Sequence, residues 1–308
     1  MASILSKAKI AANAGGRPPV AVELSPEGVL AAAIPAPGQP PVYAFQPLPV
    51  GALIPNIAEP NLRAPEAVAA AIHTALGQVS PRTRSVTLIL PDTVVRVFVL
   101  DFDSLPSKAA EAFPVLRFRL RKMVPFDVEH AGVSYQILAE SKSECRVLAA
   151  ITPGPILAEY EAAVRAAAYE PGAVLSTSLA ALEAGSANTT LEAVLGANLS
   201  HIALTTFIMN GQDLLLYRTL DLPDDPGLSL DEVRRGIAVA SAYFEDKLLA
   251  RPSRLHYAGL GGAHEFARLI GDPELEVVDL APTPNTGAVT SLGSTSIAGV
   301  VGALAGAR

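Results

Sequence analysis

Cysteine is almost absent from this sequence of 308 residues, because Cys145 is the only one. No internal disulfide can form and no cysteine cluster can bind a metal ion, which is typical of a protein of the reducing cytoplasm. Cys145 begins an apolar segment, so we expect a buried and unreactive thiol. Charged residues are also scarce, at 17% of the chain, whereas half of the residues are apolar. These values predict a sizeable core and exclude an intrinsically disordered chain.

Basic residues are fewer than acidic ones, 23 against 30, which gives a net charge of −7. This balance argues against a general nucleic-acid-binding protein. Long hydrophobic runs are lacking too. The most apolar segment near an end, residues 296–307, is shorter than the roughly 20 residues that span a bilayer. The first 14 residues contain Lys7 and Lys9 but no following apolar block, so we expect no secretory signal and a cytoplasmic protein.

The first part of the chain has the pattern of a β-meander followed by a helix and a buried strand. A strong turn signal, Ser25-Pro26-Glu27-Gly28, separates two short apolar runs, and an alanine-rich segment ends at Gly77. The predicted elements are strands at 20–24, 29–34, 42–48 and 85–90 and a helix at 64–76.

The second half of the chain repeats this order. Gly196-Ala197-Asn198 is interpreted as a turn, Asn210-Gly211 as a hairpin dipeptide, and Ser229 as the first residue of a long helix. The predicted elements are strands at 191–195, 201–208, 213–220, 255–258 and 277–278 and helices at 229–249, 263–270 and 290–305. Two copies of one unit predict a two-lobed α/β protein with a cleft between the lobes.

The segment between the copies has a different order. Strands are predicted at 94–100, 133–139 and 146–151 and helices at 107–123 and 155–168. An apolar stripe on the first of these helices consists of Phe113, Leu116, Leu120 and Met123. We therefore expect a first lobe formed by residues 1–91, an inserted small α/β module at 92–168, and a second lobe at 169–308 that ends with a closing helix.

Several short motifs carry a resemblance to a known family. They are Leu90-Pro91-Asp92, Val95-Arg96-Val97, Leu105-Pro106, Lys122-Met123-Val124-Pro125-Phe126, Val133-Ser134-Tyr135-Gln136-Ile137-Leu138 and Glu232-Val233-Arg234-Arg235. In order and spacing, over nearly the whole chain, the sequence resembles the PilM family, the actin-like assembly proteins of type IV pilus machines. The resemblance implies an actin-like (ribonuclease H-like) fold that binds ATP between its lobes. It also implies a cytoplasmic protein that holds the N-terminal tail of the membrane protein PilN in a groove between the inserted module and the first lobe, beneath the inner-membrane platform.

The resemblance also implies two hairpins, each with an Asp followed by a Gly, that organise Mg²⁺ and phosphate. Here Glu23 stands where Asp is usual, Pro26 removes an amide donor, and Val194 occupies the second Asp position. We therefore expect a degenerate cleft that binds ATP and Mg²⁺ weakly or not at all, and no enzymatic activity. The candidate nucleotide-contacting residues are Glu23, Ser25, Gly28, Gly196, Ala197, Asn198, Gly259, Gly261 and Gly262.

Two surfaces are candidates for partners. An extended peptide can add to the edge of a strand, so Val94, Arg96 and Phe98 are one candidate wall of the tail groove, with an internal strand as the equally good interpretation. The cations Arg117, Arg119, Arg121 and Lys122 predict either a solvated helix face or contact with an anionic membrane or an acidic neighbour. Association with further copies of the chain stays open.

Other functional classes receive less support. The five histidines show no metal-ligand spacing, although His256 and His264 lie near the glycine-rich turn. An active ATPase or sugar kinase on the same fold is one alternative, and it requires the carboxylate pair that the hairpins lack. The cytoplasmic part of a type II secretion linker protein is another. Such proteins continue into a transmembrane helix, which we do not expect here.

Overall fold

A computed structural model describes residues 16–36, 38–141, 143–186, 193–211, 213–281 and 296–307. Within these residues the strands are β1 (Val20–Leu24), β2 (Gly28–Ala33), β3 (Val42–Pro47), β4 (Ser85–Leu90), β5 (Arg96–Phe102), β6 (Gly132–Glu140), β7 (Cys145–Thr152), β8 (Glu170–Ser176), β9 (Ala193–Leu199), β10 (Ala203–Asn210), β11 (Asp213–Asp221), β12 (Arg254–Tyr257) and β13 (Glu276–Asp279). The α-helices are α1 (Pro65–Val79), α2 (Ala109–Leu120), α3 (Gly154–Ala166), α4 (Thr177–Ser186), α5 (Pro226–Leu248), α6 (Gly262–Ile270) and α7 (Ala298–Ala305), and Asp92–Val94 forms a 3-10 turn.

Two five-stranded sheets share one topology, and each forms the centre of a lobe. The first has the order β3-β2-β1-β4-β8 and the second the order β11-β10-β9-β12-β13. In both, three antiparallel strands are followed by two parallel ones. The parallel strand β4 is short and mostly apolar, as expected for a strand that is covered on both faces. The predicted internal repeat and two-lobed α/β fold are confirmed.

The second hairpin differs from the prediction. Strand β9 runs through Gly196, Ala197 and Asn198, and the chain turns at 200–203 instead. Gly196 is needed inside the strand because a Cβ there would overlap the ring of Phe207. The glycine therefore serves close packing and not a turn. Helix α5 likewise begins before Ser229, because Asp225 accepts hydrogen bonds from the backbone amides of Gly227 and Leu228.

The inserted module contains a three-stranded sheet in the order β5-β7-β6. Helix α2 covers one face through Ala112, Leu116 and Leu120, as the predicted stripe requires. Phe113 is half-buried, whereas Met123 lies beyond the helix and is 41% exposed, so the stripe is shorter than predicted. The opposite face of the sheet packs on β10 and β11 of the second lobe, with Val97 and Leu148 in the same core cluster as Met209 and Leu214.

The sheets divide the chain differently from the predicted segments. Strand β8 pairs with β4, so residues 170–176 complete the first sheet and not the second. Helix α3 packs against α1 and therefore covers the first lobe and not the inserted module. Helices α4 and α7 pack together on the other face of the first sheet, where Ala180, Val300 and Ala303 join one core cluster with Ala21 and Ile89. The module thus ends with β7.

The described helices include none that combines the length and hydropathy needed to cross a bilayer. The longest of them, α5, buries Val233, Ile237, Ala240 and Phe244 against the second sheet and carries charged residues on its outer side. This periodicity is typical of a helix that covers a sheet.

Candidate functional site: the cleft between the lobes

A cleft lies where the carboxyl ends of the central strands of both sheets meet. Its walls come from the turn after β1, the segment after β4, the turn after β9 and the segment after β12, including Ser25, Asp92, Asn198 and Gly259. The space amounts to about 740 Å³, including the part that is open to solvent. Ligands of α/β proteins bind at such strand ends, so this cleft is the candidate site.

The two hairpins at the cleft are equivalent in hydrogen bonding. Ser25 N donates to Gly28 O at 2.9 Å, and Ser200 N donates to Ala203 O at 2.9 Å. Both serine hydroxyls donate to those same carbonyl oxygens at 3.3 Å. The strand pairs that close the two turns are Leu24 with Val29 and Leu199 with Leu204. Glu23 in the first lobe therefore corresponds to Asn198 in the second.

This equivalence corrects the prediction about Val194. Val194 pairs with Met209 at the far end of β9 and packs, half-buried, on the apolar core. The residue of β9 that lines the cleft is Asn198, four positions later. The second hairpin thus presents a neutral amide where the first presents a carboxylate. The prediction that Gly196 and Ala197 contact a nucleotide is wrong for this structure, since both are packed inside the second lobe.

Asp92 is the central polar residue of the cleft, and it is not among the residues predicted for the site. One carboxylate oxygen, Oδ1, accepts from Ser178 N at 3.0 Å. The other, Oδ2, accepts from the Ser178 hydroxyl, from Thr205 Oγ1 at 2.9 Å and from Asn198 Nδ2 at 3.4 Å. Thr205 and Asn198 belong to the second lobe, so this one carboxylate bonds to both lobes.

A signal for Asp92 exists in the sequence. It lies two residues after the buried parallel strand β4, where α/β proteins place their functional side chains. Burial raises the pKa of Asp92, whereas the hydrogen bonds from Ser178 and Thr205 act in the opposite direction. Removing any one of these donors would leave a buried carboxylate partly unpaired and would lower the free energy of unfolding.

Glu23 lies beside Asp92 at the base of the cleft. Its Oε2 atom is enclosed and has no hydrogen-bond partner among the described residues. A Cβ on Gly299 would overlap this atom, so the glycine of α7 leaves room for it. Burial raises the pKa of Glu23 to about 7, a hydrogen bond from Thr177 lowers it, and repulsion from Asp92 and Glu27 adds to the increase. This carboxyl group therefore keeps its proton to a higher pH than an exposed glutamate does.

The predicted glycines have separate roles. Gly259 lines the cleft, and a Cβ there would lie 2.6 Å from the backbone N and O of Leu199. Gly28 leaves room for the ring of Phe45 on β3. Gly261 and Gly262 begin α6 with positive φ values of 75°. The N-terminus of this helix already holds an anion, because Asp279 Oδ1 accepts from Ala263 N at 2.8 Å. A phosphate at this helix terminus would be repelled by that carboxylate.

These residues fit a magnesium nucleotide poorly. Both oxygens of Asp92 are engaged by protein donors, and Asn198 is a neutral amide. Pro26 has no N–H to offer in the first hairpin, and Asp279 occupies the helix terminus of the third element. A cation would have to compete with these donors for Asp92 and with a proton for Glu23.

The mouth of the cleft has a further contact between the lobes. His201 Nε2 lies 3.6 Å from Glu27 Oε1, and the two residues belong to the equivalent turns of the second and first lobes. No sequence pattern predicted this contact. Among the described residues there is no group of three or more His, Cys, Asp or Glu side chains that could bind a metal ion.

The candidate peptide wall on β5 is largely inaccessible. Val94 is 0% exposed and cannot contact a partner in this structure, which corrects that prediction. Arg96 forms a two-pronged ion pair with Asp221 of the second lobe, with N–O distances of 2.7 and 3.3 Å. Phe98 is half-buried against the core of the inserted module. The side chains of this wall therefore serve packing between the module and the lobes.

The four candidate cations of α2 separate into two pairs. Arg117 donates to the carbonyl oxygens of Val128 and Ala131, and Arg121 pairs with Glu129. These two hold the segment after α2 in place. No ion pair within the described ranges involves Arg119 or Lys122, and both are exposed.

Comparison with known proteins places this geometry in a fold family. No family model matches the sequence, and no curated protein matches it. A structure entitled "PilM-PilN type IV pilus biogenesis complex" matches with a TM-score of 0.74 and 19% identity, over 94% of this chain and 98% of that chain. An actin-like ATPase fold protein of unknown function from Bacteroides thetaiotaomicron matches with a TM-score of 0.51 and 12% identity, over 92% and 93%. This chain has the actin-like fold.

A third solved structure is the cytoplasmic domain of EpsL, an inner-membrane component of the type II secretion system of Vibrio cholerae. It has a TM-score of 0.50 and 14% identity, over 93% of this chain and 92% of that chain. The predicted fold class is confirmed by these likenesses. The predicted resemblance to PilM is confirmed at the level of the fold, and it extends over the inserted module as well as both lobes.

Proposed function

We propose that this protein is a non-enzymatic scaffold of a type IV pilus assembly platform. In this role it lies in the cytoplasm, next to the inner membrane, and binds the N-terminal tail of a PilN-like membrane protein. The observation that carries the proposal is the likeness to the PilM–PilN complex structure, which covers 94% of this chain and 98% of that one. A likeness of that extent includes the inserted module. A protein that only bound nucleotide between its lobes would not require this module.

The cleft supports a scaffold rather than a catalyst. In our proposal the lobes are held together by the protein's own hydrogen bonds to Asp92, where an actin-like enzyme would use nucleotide and Mg²⁺. The amide of Asn198 and the high pKa of Glu23 support this interpretation, since neither favours a bound divalent cation near neutral pH. ATP binding is accordingly expected to be weak or absent, and hydrolysis negligible.

A recess between the module and α4 is the site that we propose for the tail. It measures about 340 Å³, including the part that is open to solvent, and is lined by Gln136, Leu138, Leu148, Leu179, Leu182, Glu183, Met209 and Leu214. Strand β6, which contributes Leu138, is an edge strand of the module sheet. An extended peptide that pairs with β6 could place an apolar side chain in this recess. The recess lies where the module meets α4 on the first lobe and β10 and β11 of the second, so it agrees with the groove that the resemblance implies only in part, and it lies on β6 and not on β5.

One observation bears on each of the two alternative functions. The likeness to the EpsL cytoplasmic domain favours a role in type II secretion, with a lower TM-score and the same fold. An active ATPase or kinase would require a metal-binding cleft, which the contacts of Asp92 disfavour. Both are distinguished from our proposal by binding and turnover measurements on one sample.

The test is calorimetric titration of the full chain with a synthetic N-terminal tail of the PilN-like protein from the same organism, with a scrambled peptide as control. Binding is expected for the native sequence, with at least a tenfold loss for Leu182→Lys and no change for Leu249→Lys, at a site that is 93% exposed. Circular dichroism checks that Leu182→Lys folds, and Leu182→Ala provides a milder second variant. No binding by the native chain would overturn the scaffold role.

Turnover is tested separately. We expect no magnesium-dependent ATP hydrolysis above the background of a mock purification. Hydrolysis that survives purification and is abolished by Glu23→Ala would overturn the non-enzymatic assignment, whether or not the tail binds.

A further inference from the structure

The outer side of α2 and the turn after it carry an exposed apolar surface with two cations that form no ion pair with any residue that the structure describes. We define the α2 outer face as Val115, Phe118 and Arg119 of α2 together with Lys122 and Met123 of the turn that follows it. The Phe118 side chain is 67% exposed, and Val115 and Met123 are exposed as well. Lys122 Nζ lies 5.9 Å from the centroid of the Phe118 ring. In a chain with a net charge of −7, this face is locally basic and combines two cations with an exposed aromatic ring.

The backbone beneath this face is fixed by other residues of the module. Arg117 donates to the carbonyl oxygens of Val128 and Ala131, and Arg121 pairs with Glu129. The inner side of α2 is packed through Leu116 and Leu120. The acidic neighbours Glu111 and Glu129 are paired with Lys108 and Arg121, so they do not neutralise Arg119 or Lys122.

We propose that the α2 outer face binds the surface of an anionic phospholipid bilayer. Phe118, Val115 and Met123 enter the region between headgroups and acyl chains, and Arg119 and Lys122 contact the anionic headgroups. A helix with an apolar side and flanking cations is suited to this interface. The inference rests on the proposed function in one respect, namely that an inner membrane is adjacent to the protein.

Two other occupants fit these residues less well. A second copy of the chain, related by a twofold axis, would bring two unpaired pairs of cations together, which is unfavourable. A stable protein interface buries about 800 Å² on each partner, whereas this face offers three apolar side chains. The unpaired cations and the small apolar area match a lipid surface better, because headgroups supply many anions around a shallow apolar contact.

The experiment is co-sedimentation of the full chain with vesicles of phosphatidylcholine alone and of phosphatidylcholine mixed with phosphatidylglycerol. Binding is expected only to the anionic vesicles and is expected to decrease with added salt. Lys122→Glu and Arg119→Glu should each lower the partition coefficient about fivefold or more. Phe118→Ser should lower it by a similar factor.

Matched controls exist on α5. Lys247 lies 5.6 Å from the ring centroid of Tyr243, the same arrangement as Lys122 and Phe118, and Val239 is 46% exposed. Lys247→Glu and Val239→Ser should leave vesicle binding unchanged. Equal loss in the controls, equal binding to neutral vesicles, or no effect of the α2 variants would each overturn the inference.

Titration of the same variants with the PilN-like tail, without vesicles, separates the two proposals. Normal tail binding without vesicle binding would overturn the membrane inference and leave the proposed function standing. Tail binding that requires Phe118 would show that the face binds protein and would overturn the membrane inference too. Vesicle binding without tail binding would overturn the proposed function instead.

Discussion

The hydroxyl of Thr205 donates a 2.9 Å hydrogen bond to the carboxylate of Asp92, 113 residues earlier in the chain. Thr205 lies in β10 of the second lobe, and Asp92 follows β4 of the first. Asn198 and Ser178 donate to the same carboxylate. The contact between the lobes therefore includes a buried acid that is satisfied on all sides by the protein itself.

Removing the Thr205 hydroxyl should weaken this contact. In Thr205→Val, a side chain of similar shape leaves Asp92 with one donor fewer, and we expect a loss of about 2 kcal/mol in the free energy of unfolding. Denaturant titration measures it. The control is Thr74→Val on the exposed side of α1, where the hydroxyl bonds only to Ala70 of its own helix. Equal stability of both variants would contradict a role for Thr205 between the lobes.

An acid at position 198 should be unfavourable next to Asp92. Asn198→Asp replaces a donor by an acceptor of the same shape, and the cost should be about 3 kcal/mol at pH 8 and smaller at pH 5, where the new acid can be protonated. Asn56→Asp is the matched control, since Asn56 Oδ1 only accepts hydrogen bonds, from the amides of Ala58 and Glu59. Unchanged stability of Asn198→Asp at pH 8 would show that the amide donor is not needed.

Glu23 should make the protein less stable as the pH rises. Its pKa is raised from 4.5 to about 7 in the folded state, so the folded state holds the proton more strongly than the unfolded chain does. The associated stability is complete below pH 4.5 and is lost as the pH rises through 7. The difference between pH 5 and pH 8 is about 2 to 3 kcal/mol.

The comparison with Glu23→Gln isolates this contribution, since the two proteins differ only in this side chain. The variant should show a flatter dependence of unfolding free energy on pH and should be the more stable protein at pH 8. Parallel curves for the two proteins would mean that Glu23 has an ordinary pKa.

Close packing between α4 and α7 should be sensitive to one methyl group. A Cβ on Gly302 would overlap the carbonyl oxygen of Ala180, which is backbone and cannot rotate away. Gly302→Ala should therefore cost about 3 kcal/mol. Gly77→Ala in α1 is the control, because no atom lies within 4 Å of its added Cβ, and it should gain about 0.5 to 1 kcal/mol. A stable Gly302→Ala variant would contradict the tight contact between the helices.

The order of elements could be predicted because it depends on local patterns. The turn Ser25–Gly28 and the dipeptide Asn210-Gly211 lie between apolar runs, and the repeat of the order predicted two similar lobes. The assignment of β8 and α3 to the first lobe could not be predicted from local patterns. It depends on the pairing of β8 with β4 and on the packing of α3 against α1, which are far apart in sequence.

The candidate site was predicted in part. Glu23, Ser25, Asn198 and Gly259 do line the cleft. The interpretation of Gly196-Ala197-Asn198 as a turn failed because the glycine is required by the ring of Phe207, a partner on the next strand. Asp92 was missed as a site residue because its importance arises from three donors, none of which lies within 80 positions of it.

Helix α7, near the end of the sequence, covers β1 and β2, near its beginning. When both sheets have been synthesised, the helix that covers this side of the first sheet has therefore not yet been made. Until residue 305 has left the exit tunnel, Ala21, Leu30 and Ile89 lack this cover. The nascent chain then exposes an apolar surface that chaperones or neighbouring nascent chains can bind. The first lobe begins its folding early and can complete it only after α7 has been synthesised.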